Sequence, residues 1–209
     1  MAKKSKGLKG GLVIIFEGID GVGKTTQLEL ARKELEKAGW PVMTTRNMGG
    51  TPIGEALREV IMSPELRRPA LTDFYVSLAI QEPLLDVINE ARKEGKVVLM
   101  DRGPLSLAAY QIYGAGIDDT LGWEHVRRGM DRIKPDAVIL YDTEPGTALS
   151  RLHKAKADYF ESKPLEYFDD VAKGFREAGQ RYGAATIDAS QSVDKVHGQT
   201  MSVIQHLFA

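Results

Sequence analysis

A glycine-rich loop that ends in lysine and threonine is the stretch of this sequence best suited to chemistry. Residues 12–26 read LVIIFEGIDGVGKTT, in which an apolar run precedes the phosphate-binding pattern G-x-x-x-x-G-K-[ST]. Glycine permits positive φ angles, so such a loop can turn its backbone N–H groups toward phosphate oxygens. The next helix is expected to begin near Lys24, with the positive end of its dipole facing the same anion. The pattern therefore predicts a nucleotide-phosphate site.

The residue types of this loop also predict individual roles. We expect Lys24 to reach the β- and γ-phosphates of ATP and the Thr25 hydroxyl to bind Mg²⁺. The predicted ATP-binding residues are Gly18, Ile19, Asp20, Gly21, Val22, Gly23, Lys24, Thr25 and Thr26. The loop does not identify the acceptor of the phosphoryl group, which the rest of the chain must supply.

Length and composition place limits on the rest of the chain. At 209 residues, the chain is predicted to form a flexible basic leader (1–10) and one domain (11–209). The leader has four lysines and no apolar segment, so it does not resemble a signal peptide. A net charge of −1 argues against a nucleic-acid polymer or a membrane as partner, and the absence of cysteine suits the cytoplasm.

Strand and helix patterns alternate along the chain. Apolar strands separated by helices predict an α/β fold with a parallel sheet of five strands flanked by helices on both faces. A kink or boundary is expected at Pro83 within the third helix. The predicted strands are 12–16, 41–45, 97–100, 137–141 and 184–187, and the predicted helices are 24–38, 52–62, 71–95, 105–113, 120–130, 145–152, 164–182 and 193–207.

Several motifs, spaced in order from about Leu12 to Leu207, resemble those of the thymidylate kinase family, which has the P-loop NTPase fold. The resemblance implies transfer of the ATP γ-phosphoryl group to dTMP, with Mg²⁺ and in a homodimer. The matching segments are FEGIDGVGKTTQ (16–27), TRNMGGTPIG (45–54), Asp101-Arg102 followed by Ser106 and Tyr110-Gln111, PDA (135–137), and DASQS (188–192).

The resemblance also implies roles for acceptor-side residues. Asp20 is expected to hold the sugar hydroxyl of dTMP, Arg46 and Arg102 to grip its phosphate, and Asp101 to order water around Mg²⁺. Arginine suits a phosphate clamp because its planar guanidinium pairs with two oxygens and keeps its charge. The predicted substrate-binding residues are Asp20, Arg46, Phe74, Gln81, Arg102, Ser106, Tyr110 and Gln111.

The source of a further catalytic cation varies within the family, between the P-loop and a lid. Here Gly21 occupies the P-loop position, so the resemblance points to a short lid at about 153–160. Lys154 and Lys156 are the candidate catalytic residues of that lid, beside Lys24 and Arg102.

The family positions that read thymine are altered in this chain. Aligned without gaps from Asp101, the usual stacking phenylalanine falls on Val76, the usual base-reading arginine on Ile80, and a usual polar residue on Leu107. The phosphate machinery is spared, so these changes concern the choice of base and not the kinase chemistry. A related nucleoside monophosphate kinase with altered base specificity, a deoxyribonucleoside kinase and a catalytically weak nucleotide-binding regulator therefore stay open as alternatives.

Overall fold

The computed structural model describes residues 10–152 and 163–208, and within these ranges the core is a five-stranded parallel sheet. The order of strands across the sheet is β2-β3-β1-β4-β5. This confirms the predicted parallel sheet of five strands. The strands are β1 (Leu12–Glu17), β2 (Val42–Arg46), β3 (Val97–Asp101), β4 (Ala137–Asp142) and β5 (Ala185–Asp188).

Helices connect the strands, as the sequence pattern predicts. Most predicted helices begin and end within a few residues of the observed ones. They are α1 (Lys24–Lys37), α2 (Pro52–Met62), α3 (Ala70–Lys93), α4 (Pro104–Leu107), α5 (Asp119–Ile133), α6 (Pro145–Ser150), α7 (Leu165–Arg181) and α8 (Val193–His206), with a π-helical segment at Ala108–Gly114.

Successive residues of a strand point to opposite faces of the sheet, and in the central strands both sets are buried. On one face, Ile14 and Phe16 of β1 pack in a cluster with residues of α1 and α8. On the other face, Val13 and Ile15 pack with residues of α3 and α5. Helices therefore cover both faces, as predicted. None of the helices in the described ranges combines the length and apolar character that crossing a bilayer requires.

Two local predictions differ from the structure. The expected boundary at Pro83 is wrong, because α3 continues through it. A proline inside a helix costs about 3 kcal/mol, but the flanking Leu84 and Leu85 are almost fully buried and offset that cost by packing. The predicted helix 105–113 is split into α4 and the π-helical segment, against which α7 packs closely. A Cβ at Gly174 of α7 would lie 2.8 Å from the Cα of Ala109, so this approach requires glycine.

The register of the central strands brings the predicted motifs to one edge of the sheet. In β1, Phe16 is the partner of Asp101 in β3, and Arg46 in β2 is the partner of the same Asp101. The glycine-rich loop after β1 and the Asp101-Arg102 pair therefore leave the sheet side by side, at the carboxyl ends where α/β proteins bind ligands.

Candidate active site

The glycine-rich loop runs from the end of β1 into the first turn of α1. Gly18, Gly21 and Gly23 all have positive φ angles, of 138°, 83° and 92°. Lys24, the first residue of α1, is only 6% exposed, and its Nζ donates a hydrogen bond to the carbonyl oxygen of Ile19 at 2.8 Å. The lysine thus folds back over its own loop, and the first N–H groups of α1 have no partner within the helix. This arrangement is typical of an anion cradle.

The backbone at Gly21 explains why the loop carries no further cationic side chain at this position. A Cβ built at Gly21 would lie 2.0 Å from the carbonyl oxygen of Ala148 in α6, and φ there is +83°. An arginine at this position would require α6 to move. The geometry therefore agrees with the hypothesis that any further cation comes from outside the loop.

Thr25 and Asp101 form the junction between the glycine-rich loop and β3. The Thr25 hydroxyl donates a hydrogen bond to Oδ2 of Asp101 at 2.7 Å. Two oxygen ligands so placed suit a hard cation such as Mg²⁺, which binds proteins through one or two carboxylates and otherwise through phosphate and water. Among the described residues there is no group of three or more His, Cys, Asp or Glu side chains that could hold a metal alone. Such a cation would therefore depend on the phosphates of a bound nucleotide.

Arg102 contacts more residues of the site than any other side chain described in this section. Its backbone has a φ of 64°, a left-handed value that costs an arginine about 1 kcal/mol or more. Its guanidinium donates to the Gly18 carbonyl at 3.0 Å, to the Ser106 hydroxyl at 3.3 Å and to the Tyr110 hydroxyl at 3.1 Å. It also forms an ion pair with Asp20. The same side chain therefore contacts the glycine-rich loop and the segment that begins at α4.

Burial and neighbouring charges shift the pKa values of Asp20, Lys24 and Tyr110 in this cluster. Burial alone would raise the pKa of Asp20, but the charges of Arg102 and Lys24 and the hydrogen bonds from Tyr110 and Arg102 lower it well below its ordinary value. Burial lowers the pKa of Lys24 to about 8, and the nearby positive charge of Arg102 adds to the effect. Burial also raises the pKa of the Tyr110 hydroxyl well above its ordinary value. Tyr110 therefore stays protonated and donates to Oδ2 of Asp20 at 2.8 Å.

Glu17 holds the loop after β3 in place, a role that our sequence analysis missed. This carboxylate is fully buried and accepts hydrogen bonds from the Gly103 N–H at 2.8 Å, the Ser106 N–H at 3.2 Å and the Ser106 hydroxyl at 2.6 Å. Burial raises the pKa of Glu17, while these hydrogen bonds and Arg102 oppose the rise. The sequence does contain a sign of this role: Glu17 is an acidic residue at the end of an otherwise apolar strand, and a buried charge needs hydrogen-bonding partners.

A cavity opens beside this cluster, between α2, α3, the π-helical segment and the loop that joins β2 to α2 (residues 47–51, the second loop). Six predicted substrate-binding residues line it: Asp20, Gln81, Arg102, Ser106, Tyr110 and Gln111. The other lining residues are Asn47, Met48, Arg58, Met62, Ser77 and Leu107. Arg58, whose Nη1 donates to the Met48 carbonyl at 2.8 Å, gave no motif signal, because a lone arginine on a helix is ordinarily a solvated surface residue.

Phe74 does not line the cavity. Its ring is fully buried in the core that contains Leu84 and Ile88, and it packs edge-on against the ring of His125. A ligand could reach this ring only if the core opened, so Phe74 is no longer assigned to substrate. Val76 and Ile80 do not line the cavity either.

Arg46 is not brought into the cavity. Its side chain is 52% exposed and pairs with Glu55 of α2 at 2.6 Å, and Glu55 also accepts from the Gly50 N–H at 2.8 Å. These hydrogen bonds lower the pKa of Glu55, that of the Gly50 N–H most strongly. The backbone of Arg46 lies beside Asp101, as expected, but the guanidinium is engaged on the outer side of the second loop.

The predicted lid lies outside the described residues, and with it Lys154 and Lys156; the predicted leader, apart from Gly10, lies outside them too. Arg151, just before the lid, ends α6 and donates to the Ala189 carbonyl at 2.9 Å. It ties the end of α6 to the loop after β5.

Fold and site together define a class of protein. A parallel sheet with β1 at its centre, a glycine-rich loop between β1 and α1, and a buried lysine at the start of α1 are the features of a P-loop nucleotide-binding protein.

Comparison with known proteins narrows this class to one family. The family model described as "Thymidylate kinase" matches residues 16–200. A thymidylate kinase from Pelotomaculum thermopropionicum is 37% identical over 196 residues, covering 90% of this chain and 89% of the relative. A thymidylate kinase from Paracidovorax citrulli is 35% identical over 206 residues, covering 93% of this chain and 92% of the relative. The crystal structure of thymidylate kinase from Ehrlichia chaffeensis matches with a TM-score of 0.74 and 27% identity, over 94% of this chain and 99% of that chain.

The chain therefore belongs to the thymidylate kinase family. This confirms the predicted family, the P-loop NTPase fold and the assignment to the ATP-dependent nucleotide kinases.

Proposed function

We propose that this protein transfers the γ-phosphoryl group of ATP to dTMP, giving dTDP and ADP. A phosphate oxygen of dTMP attacks the γ-phosphorus, the bond from that phosphorus to the β–γ bridging oxygen breaks, and ADP leaves. The observation that carries the proposal is the position of Arg102, which lines the cavity and also donates to the Gly18 carbonyl of the P-loop. A phosphate held in the cavity by Arg102 would lie next to a triphosphate held by the loop.

Positioning and charge neutralisation are the main tasks of a phosphoryl-transfer site. On the donor side, Lys24 and the backbone of residues 18–26 hold the phosphates of ATP. On the acceptor side, Arg102 binds the phosphate of dTMP and Asp20 accepts from its sugar hydroxyl. Without a ligand, Arg102 and Asp20 form an ion pair with each other. Binding of dTMP would replace this ion pair with contacts from Arg102 to the phosphate and from Asp20 to the sugar.

Thr25 and Asp101 would hold Mg²⁺, the Thr25 hydroxyl directly and Asp101 through water. The ion, when bound with ATP, neutralises charge on the β- and γ-phosphates. We keep Lys154 and Lys156 as proposed lid residues that supply positive charge at the transferred group. This role is supported by the obstruction at Gly21, where a side chain would meet the Ala148 carbonyl.

An acceptor panel tests the proposal. Purified protein with Mg²⁺ and ATP is expected to release ADP when dTMP is added, measured by coupled oxidation of NADH. The panel includes thymidine, because the pairing of Arg46 with Glu55 leaves the phosphate clamp to Arg102. Turnover with thymidine but not dTMP would redirect the function to a deoxyribonucleoside kinase. ATP binding without turnover of any acceptor would favour a nucleotide-binding regulator.

The proposal includes a homodimer in the cytoplasm. Five of the exposed large apolar side chains lie on α2, on the segment that follows it and on the start of α3: Ile53, Val60, Leu66, Leu71 and Tyr75. Such a patch is typical of an interface between protein chains. Light scattering coupled to size-exclusion chromatography is expected to give twice the mass of the chain, and a mass of 23.0 kDa would contradict the dimer.

A further inference from the structure

The part of the cavity away from the P-loop is lined by two carboxamides, Gln81 of α3 and Gln111 of the π-helical segment. Asp20, Arg102 and Tyr110 bond to one another and to the P-loop, which makes them the phosphate and sugar side. Of the remaining polar lining groups, Asn47 accepts from the Met48 N–H at 2.9 Å and Arg58 donates to the Met48 carbonyl. The two glutamines are therefore the candidates to contact a base.

Gln111 has an unmet hydrogen-bonding capacity. Its side chain is 3% exposed, and its Oε1 is buried without a hydrogen-bond partner in the described part of the chain. Buried polar atoms are seldom left unpaired, because an unmade hydrogen bond costs free energy. The side chain lines the cavity, so a bound ligand can supply the missing partner.

Gln81 lines the cavity from α3. It is 4% exposed and lies one helical turn after Ser77, whose hydroxyl donates to the Asp73 carbonyl at 2.7 Å and so offers the cavity only lone pairs. Gly129 of α5 makes room for the amide, because a Cβ there would lie 2.8 Å from Nε2 of Gln81.

A carboxamide differs from a guanidinium in what it can recognise. A guanidinium only donates hydrogen bonds, whereas a carboxamide both donates and accepts, and half a turn about its last bond exchanges the two. Thymine and uracil present an acceptor at position 4 and a donor at N3. Cytosine presents the reverse pattern, a donor at position 4 and an acceptor at N3. The base-reading arginine that the family resemblance implies falls on Ile80, which is fully buried outside the cavity lining.

We propose that Gln81 sets the base specificity of this enzyme and that, together with Gln111, it lets the site accept 4-amino as well as 4-oxo pyrimidine monophosphates. This inference rests on the proposed kinase function. With a 4-oxo base, Gln81 donates to the oxygen at position 4 and Oε1 of Gln111 accepts from N3–H; with a 4-amino base, both amides turn over, so that Gln81 accepts from the amino group and Gln111 donates to N3. Gln81 is thus a specificity-determining residue, and dCMP is a second acceptor beside dTMP.

The test compares kcat/KM for dTMP and dCMP at pH 8, with ADP release as readout. Wild-type values within about tenfold of each other are expected, since neither base leaves an amide unpaired. Gln81→Arg, which only donates, is expected to shift the ratio about tenfold or more toward dTMP. Gln81→Glu, which when ionised only accepts, is expected to shift it by a similar factor toward dCMP. Gln205→Glu on α8 makes the same change at an exposed position and is the matched control, with no change of ratio.

A second variant guards against misfolding of the Gln81 variants. Gly129→Ala changes no cavity-lining side chain, but the new Cβ would lie 2.8 Å from Nε2 of Gln81 and 3.0 Å from the ring of Pro104, so it displaces the Gln81 amide and presses on Pro104. It is expected to change the dTMP-to-dCMP ratio at least about threefold, and circular dichroism compares its fold and melting temperature with those of the wild type. Wild-type turnover of dTMP with dCMP more than about a thousandfold slower would overturn the inference and leave the kinase proposal standing. Equal losses for both acceptors in the Gln81 variants would also overturn it, whereas failure with dTMP itself would remove the kinase proposal.

Discussion

Replacing Lys24 by methionine is expected to stabilise the ligand-free protein at neutral pH while abolishing ATP binding. Methionine has a similar length and shape but no charge. Lys24 is 6% exposed, and burial lowers its pKa to about 8, so holding it in the charged form opposes folding. Functional sites commonly store such a cost, which a bound ligand offsets.

The magnitude follows from the lowered pKa. Lowering a pKa from 10.5 to about 8 corresponds to roughly 3 kcal/mol of unfavourable folding free energy at pH 7. Between pH 8 and 10.5 the unfolded chain binds more protons at this position than the folded one, so the contribution of Lys24 becomes less unfavourable as the pH rises. The variant also loses the hydrogen bond to the Ile19 carbonyl at 2.8 Å, which costs about 1 kcal/mol at any pH. We expect Lys24→Met to be more stable by about 2 kcal/mol at pH 7 and by less than about 1 kcal/mol at pH 9.5.

Urea unfolding followed by circular dichroism, at pH 7 and pH 9.5 without nucleotide, measures both differences. Lys33→Met, at an exposed lysine on the same helix, controls for removal of a surface charge. The charge of Lys24 also lowers the pKa of Asp20, but Asp20 is ionised at both pH values in wild type and variant, so it does not contribute to the change with pH. A variant that is less stable than wild type at pH 7, or a difference that stays constant between the two pH values, would refute the reasoning.

Three further substitutions follow from the hydrogen bonds of the site and the core. Glu17→Ala is expected to lower the free energy of unfolding by about 3 kcal/mol, because two buried backbone N–H groups lose their acceptor. Chemical denaturation measures this loss, with Glu17→Gln as the milder comparison. A loss below about 1 kcal/mol would contradict the role of Glu17 in holding the loop after β3. Arg102→Ala is expected to reduce kcat/KM for dTMP at least about a thousandfold while ATP still binds, as titration calorimetry would show; full activity would remove Arg102 from the phosphate clamp. Tyr141→Phe is expected to cost about 1 kcal/mol in thermal unfolding with no change in turnover, since it removes only the buried hydrogen bond to Thr200 at 2.9 Å.

The agreement between motifs and structure is strongest where the physics is local. Positive φ angles at Gly18, Gly21 and Gly23 depend on the residues themselves, and the turn they allow leads directly into α1. The three central strands β3, β1 and β4 were recognisable for a similar reason, since a strand buried on both faces has few residue types available. Their common carboxyl edge then placed Thr25 beside Asp101.

Local signals were misleading where packing outweighed propensity. Pro83 is a helix breaker by its own chemistry, yet α3 passes through it because the residues that follow are buried in the core. Phe74 has the residue type of a stacking platform, but a fully buried ring against His125 serves the core instead. Only the rotation of α3 against its neighbours decides that Ser77 and Gln81 face the cavity in place of Phe74, Val76 and Ile80.

The sequence by itself determined the family, the parallel sheet and the P-loop, because each depends on short contiguous motifs or on the spacing of apolar residues. Tertiary structure alone decided which charged groups pair: Arg102 with Asp20, Arg46 with Glu55, and Glu17 with the loop after β3. A charged side chain has several candidate partners along a chain, and the free energy of each pairing depends on distance and burial, which exist only after folding.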